Sequence, residues 1–118
     1  MIAVEILQQA VDAAHHGIYV TDAHGKIQYV NDAFCRLTGY GSHELEGAPM
    51  SMLSSGETPP EYYQQLWRTI RSGVQWREEI TNRRKDGSLY HAFQIISPIL
   101  DETDTVTNFV GIQHDITE

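Results

Sequence analysis

A single cysteine, Cys35, stands among 118 residues, so neither an internal disulfide nor a cysteine-built zinc site can form. Basic residues are also scarce. Eight Lys and Arg against 16 Asp and Glu leave a formal net charge of −8, a surface unsuited to nucleic acid or to anionic membranes. No apolar run approaches the roughly 18 residues of a membrane span. The amino-terminus lacks the basic start of a secretion signal, and Glu5 interrupts it early. The pattern holds no nucleophile–base pairing, metal cluster or phosphate-binding glycine loop, which argues against a free-standing enzyme. No repeat or low-complexity linker divides the chain. These absences leave a cytoplasmic, single-core domain with an ordinary 41 % apolar content, large enough to enclose one cofactor-sized cavity.

The most informative stretch runs from Trp76 to Ser88, WREEITNRRKDGS. As a strand it puts Trp76, Glu78, Ile80 and Asn82 on one face and Gln75, Arg77, Glu79, Thr81 and Arg83 on the other. The second face is polar and suits water. The first looks into a core and carries Asn82, with Glu78, inward. A buried amide left unpaired costs roughly 1–3 kcal/mol, so Asn82 needs partners from the backbone or from an internal ligand. Lys85-Asp86-Gly87-Ser88 then turns the chain as a hairpin, with Arg83, Arg84 and Lys85 as a solvated tip.

Taken in order, residues 2 to 15 predict a helix carrying Val4, Leu7, Val11 and Ala14, with Ile6 and Ala10 beside them. Two short strands follow, Ile18 to Thr21 and Lys26 to Val30, joined by a turn at Asp22-Ala23-His24-Gly25. Asn31 caps a short helix that stops at Gly39. Residues 40 to 57 predict one helical turn near His43 to Leu45 and then a loop. Thr58 and Glu61 read as a capping box, with proline in the first turn of a helix that ends at Gly73. Its apolar face is Tyr63, Leu66, Trp67 and Ile70. Strands near Ser88 to Leu100 and Thr105 to Ile116 close the chain, the last with Phe109, Gly111 and Gln113 on one face. The order predicts an α+β domain, an antiparallel sheet covered on one side by helices.

Gly17-Ile-Tyr-Val-Thr-Asp22, Ile27 to Phe34, Leu37-Thr-Gly-Tyr40, Arg84-Lys-Asp-Gly87 and Asp115-Ile-Thr117 resemble, in order, a PAS domain. The resemblance implies a five-stranded antiparallel sheet with short helices on one face around a ligand pocket. It divides the chain into an N-terminal helical cap, residues 1–16, and the PAS domain proper, residues 17–118. PAS domains are mostly sensory modules that signal to an effector such as a histidine kinase, a cyclase or a transcriptional regulator.

Three cofactors compete with a cofactor-free module for dimerisation or small-metabolite binding. Haem is disfavoured, because no histidine falls between Ala48 and Gly73, where similar haem-binding domains place the axial ligand. The light-sensing LOV type is similar in Asn82 and in Phe109 to Gln113, which there hold the flavin edge. Its adduct chemistry needs a cysteine, and a methionine stands at that position in Pro49 to Leu53. Leu53 to Pro60, Tyr63 to Trp67, Trp76, and Asn82 to Tyr90 are most similar to redox-sensor PAS domains. These are of the nitrogen-fixation-sensor and aerotaxis-receptor type, and they bind FAD, rather than FMN, without a covalent bond. That resemblance implies cofactor contacts from Asn82, Gln113, Trp67, Trp76, Met50, Asn31 and Tyr19, and an oxygen- or redox-sensing role. Tyr19 and Met50 depart from the nitrogen-fixation sensor, which has a small hydroxyl residue and a carboxylate there. The surplus of apolar positions in residues 2 to 14 predicts a homodimer paired through the N-terminal helix.

Overall fold

The structure, a computed structural model, describes residues 15–117. Five strands form one antiparallel sheet in the order β2-β1-β5-β4-β3. They are β1 (Gly17–Asp22), β2 (Ile27–Val30), β3 (Trp76–Arg83), β4 (Leu89–Leu100) and β5 (Val106–Asp115). Between β2 and β3 lie α1 (Asp32–Thr38), α2 (Ser42–Leu45), a 3₁₀ turn at Met50–Leu53, and α3 (Pro60–Arg71). Among the described residues, no helix is long and apolar enough to cross a membrane. The predicted helix over residues 2 to 15, and with it the proposed cap and pairing surface, lies outside the described residues apart from its last position.

Alternation in the strands sets the inner face. Tyr19 and Thr21 of β1, Ile80 and Asn82 of β3, Tyr90, Ala92, Gln94 and Ile96 of β4, and Phe109, Gly111 and Gln113 of β5 all point inward. Glu78, predicted inward with Asn82, is exposed; it lies toward the open end of β3, where a carboxylate keeps its water. Register puts Tyr19 opposite Gly111, and a Cβ on Gly111 would run into the Tyr19 ring. The glycine is what lets that aromatic lie against the sheet.

Local signals account for most helix ends. Asn31 Oδ1 accepts from Phe34 N–H at 2.9 Å and from Ile18 N–H at 2.8 Å, so one side chain caps α1 and ties it to β1. Gly39 ends α1 in the left-handed region, φ 79°. Pro60 opens α3 as predicted, but the Thr58–Glu61 capping box does not form. The cap position is Pro59, which has no side-chain donor or acceptor. The second proline starts the helix one residue late, and the Thr58 hydroxyl turns to the Thr81 carbonyl of β3 at 3.5 Å. The segment read as a loop before it contains the 3₁₀ turn, which buries Leu53.

Both sheet edges are covered in part. Along β2, Ile27 N–H donates to Ala48 O at 2.8 Å and Gly47 N–H to Ile27 O at 2.7 Å. Along β3, the Tyr62 hydroxyl donates to Glu79 O at 2.7 Å, and Ser54 bridges Asn82. The tip after β3 is exposed at Arg83 and Lys85, as predicted, and half-buried at Arg84, and it is also fastened. Arg84 donates to the carbonyls of Leu37 and Leu89, Arg83 to those of Gly87 and Ser55, and Lys85 pairs with Glu44 at 2.7 Å. Guanidinium groups with several donors suit such carbonyl-rich hairpins.

Candidate functional site

Between the inner face of the sheet, α3 and the 3₁₀ turn lies a cavity of about 550 Å³, within the range of small-molecule and cofactor sites. Its walls are mostly apolar: Leu66, Trp67 and Ile70 from α3, Ile80 and Ile96 from the sheet, and Phe109 from β5. Trp67 meets Phe109 edge-on, ring centroids 5.8 Å apart. Its indole also lies against Gly25, where a Cβ would come within 2.9 Å of it. His24 and Arg71 stand at the rim and are exposed.

One wall is polar, and its side chains are linked. Asn82 Nδ2 donates to the Tyr90 hydroxyl at 3.1 Å, and that hydroxyl donates to Gln113 Oε1 at 2.8 Å. Gln113 Nε2 donates to Gln94 Oε1 at 2.8 Å, and the Tyr19 hydroxyl donates to the same oxygen at 2.8 Å. Exposure is 6 % for Asn82, 4 % for Gln94, 2 % for Tyr19 and 1 % for Gln113. Burial pushes the Tyr90 phenol up to about 12 and raises Tyr19 further, with neighbouring phenols adding to the rise at Tyr19. Both therefore stay protonated and act as donors at neutral pH. Among the described residues, neither Gln94 Nε2 nor Asn82 Oδ1 has a protein partner, and both residues line the cavity. The wall thus offers a ligand one donor and one acceptor.

Of the residues singled out in the sequence, the structure brings Asn82, Trp67, Met50 and Tyr19 together around the cavity. Gln113 lies one side chain behind it, engaged by Tyr90 and Gln94. Trp76 packs against the cluster of Leu66, Ile70, Ile96 and Phe109, its ring 5.4 Å from that of Tyr62, and Asn31 is occupied with the α1 cap; neither lines the cavity. Cys35 sits on α1, also outside the lining, and burial raises its thiol. His91 and His114 are exposed; His114 meets His16 at 2.8 Å and His91 meets Thr81 at 2.9 Å. Among the described residues, no group of three or more His, Cys, Asp or Glu is placed to hold a metal. Gln94 and Tyr90 were not singled out in the sequence. The signal was there, since Tyr90, Ala92, Gln94 and Ile96 alternate with the same period that turned Asn82 inward.

Comparison with known proteins agrees with this architecture. The chain is 38 % identical over 106 residues to a nitrogen fixation regulatory protein of Klebsiella oxytoca, covering 90 % of this chain and 21 % of that protein. It is 34 % identical over 70 residues to the aerotaxis receptor of Escherichia coli K12, 59 % of this chain and 14 % of the receptor. The chain thus spans about a fifth or less of the length of these two relatives. The LOV domain of a blue-light-activated histidine kinase from Erythrobacter litoralis superposes with a TM-score of 0.81 at 28 % identity, over 89 % of this chain and 99 % of that one. The PAS-domain family matches residues 15–118, and with the sheet order, the helical cover and the cavity beneath it in place, the chain belongs to the PAS domain family.

Proposed function

We propose that this domain is a cytoplasmic sensor that holds a flavin, FAD in particular, without a covalent bond and reports its oxidation state to a linked effector. The observation that carries the reading is the unused donor and acceptor on one wall of an otherwise apolar cavity. An isoalloxazine ring has that character, with carbonyl acceptors and an imide N–H along one edge and an apolar face elsewhere. Gln94 would give its N–H to a ring carbonyl and Asn82 would accept the imide hydrogen. Trp67, Leu66 and Phe109 would keep water from the rest of the ring. When bound, the flavin supplies reversible electron and proton uptake, and the protein supplies orientation and readout.

Met50 lines the cavity where an adduct-forming sensor would need a thiol, and Cys35 lies elsewhere, so the reading is a redox sensor and not a covalent photoreceptor. FAD is favoured over FMN by the likeness to the nitrogen fixation regulatory protein; His24 and Arg71 at the rim suit the phosphate that either flavin carries. Oxygen is the natural oxidant for such a site. The effector, a kinase, cyclase or transcriptional regulator, would receive the signal through β5, whose last residues follow Gln113 directly. Pairing of two copies through residues 2–14 would put both sensing cores on one helical pair.

Absorbance of the purified protein tests the reading. The expected result is a yellow protein with a band near about 450 nm, a general property of flavins. Asn82→Leu should weaken flavin binding by roughly 1–3 kcal/mol, about five- to 150-fold. A colourless protein that takes up neither added FAD nor added FMN overturns it.

A further inference from the structure

The cavity does not end at its rim. It continues into a groove of about 650 Å³ bordered by the C-terminal end of α3, the β1–β2 turn and the β4–β5 turn. His24, Arg71 and Phe109 line both spaces, whereas Leu100, Asp104 and Val106 line the groove alone. Two opposite charges face this groove unused. Arg71 lies over the Trp67 ring, its guanidinium carbon 4.6 Å from the ring centroid, a contact that occupies none of its N–H groups. Among the described residues it makes no hydrogen bond and no ion pair. Asp104 has a left-handed backbone, φ 60°, and its N–H donates to Asp101 O at 3.1 Å, but its carboxylate has no partner among the described residues. The neighbouring Asp101 carboxylate, by contrast, is taken up by the N–H groups of Thr103 and Thr105. Arg71 and Asp104 line one groove and still do not pair with each other. Beside Asp104 the lining is apolar. Leu100 and Val106 are opposite each other in the β4–β5 register, and Leu100 is 43 % exposed.

We propose that this groove is the subsite for the adenylate half of FAD, with the diphosphate at Arg71 and His24, a ribose hydroxyl on Asp104, and the adenine against Leu100 and Val106. From the cavity outward the lining is first cationic, then apolar with one carboxylate. FAD carries its groups in the matching order: ring, phosphates, then a sugar with free hydroxyls and a flat base. FMN stops at the phosphate and would leave the groove empty. A phosphate beside Asp104 is repelled, whereas a hydroxyl donates to the carboxylate in a charge-assisted bond, the use that dinucleotide-binding folds make of an acidic residue at the ribose. The base covers apolar surface that Leu100 otherwise leaves to water. The inference rests on the flavin reading for the ring; what it adds is that side chains of α3 and of the β4–β5 turn select FAD over FMN.

Dissociation constants for FAD and for FMN test it, measured on the unmodified protein, Leu100→Glu, Asp104→Gly and Arg71→Gln. Glycine keeps the left-handed backbone at position 104, and both turn positions are exposed, so the urea midpoint without flavin serves as the check that the fold is intact. The unmodified protein should bind FAD at least about tenfold more tightly than FMN. Leu100→Glu, which sets a charge of the phosphates' own sign on the apolar patch, should weaken FAD by about tenfold or more and leave FMN within about twofold. Asp104→Gly should weaken FAD by about three- to tenfold, again with FMN unchanged. Arg71→Gln should weaken both flavins, because both carry a phosphate at the rim. Equal binding of FAD and FMN by the unmodified protein, or a preference for FAD that survives Leu100→Glu and Asp104→Gly, overturns the subsite and leaves the flavin reading standing. Uptake of neither flavin overturns both.

Discussion

Gly111→Ala isolates the contact on which the polar wall depends. The β1–β5 register sets Gly111 against the Tyr19 ring, and an added methyl group has no space there. Tyr19 must then move off the sheet, lose its bond to Gln94 and press into Phe34, whose ring is already 5.2 Å away. Overpacking of this kind costs about 1–3 kcal/mol, and the lost hydrogen bond adds about 0.5–1.5 kcal/mol. Relief of the backbone entropy of a strand glycine returns about 0.5–1 kcal/mol. The net expectation is about 2 kcal/mol of destabilisation, read as a lower urea midpoint at constant slope and a melting temperature lower by roughly 8 °C. The decisive control is the same change in a Tyr19→Ser background. That background is itself less stable, because a buried ring has been removed, but it opens the space above position 111. There Gly111→Ala should be neutral or stabilising. If the alanine is tolerated within about 0.5 kcal/mol beside Tyr19, or costs the same in both backgrounds, the argument from this contact fails.

The remaining predictions concern pairing and acid. Val4→Glu with Val11→Glu should give a folded monomer in sedimentation, since an unpaired charge buried in an interface is costly; an unmodified domain already monomeric at high concentration removes the proposed pairing. Three aspartates brace turns through their carboxylates: Asp22 by N–H groups of Lys26 and His24, Asp86 by the hydroxyl and N–H of Ser88, and Asp101 by Thr103 and Thr105. These bonds hold the folded carboxyls below their ordinary range, so the stability they contribute is present above the unfolded value, about pH 4, and is lost as pH falls through the folded ones. The urea midpoint of Asp86→Asn should therefore fall less steeply below about pH 4 than that of the unmodified domain, and parallel slopes would count against the assignment.

Much of the fold was legible because its determinants are local. Alternation in β1, β3 and β5 follows from residue type and period, and Asn31 and Gly39 mark the ends of α1 by their own chemistry. The capping box misled because Thr58 was read without its competitor, a pair of prolines that shifts the helix start and frees the hydroxyl for β3. Arg83 is exposed as predicted, but the fastening of Arg83 and Arg84 was not legible, because their partners, carbonyls at Ser55 and Leu37, are remote in sequence. The same limit applies to the site. Period placed Asn82 and Gln113 inward, but which of them meets the cavity depends on the pairing of β4 with β5, which sets Gln94 beside Gln113. A strand's inward face can be read from its own residues; its order in the sheet cannot.

The covering of both sheet edges limits how two copies can meet. With β2 shielded at its start by residues 47 to 49 and β3 from Glu79 to Asn82 by Tyr62, Thr58 and Ser54, another strand finds open backbone groups along only part of either edge. Association of folded molecules through a growing ladder is thus disfavoured relative to contacts between side-chain surfaces, which dissociate on dilution. Fibre growth would first require α3 and the 3₁₀ turn to detach, so the aggregation rate of this domain should track its local unfolding and be slowed by anything that fills the cavity beneath them.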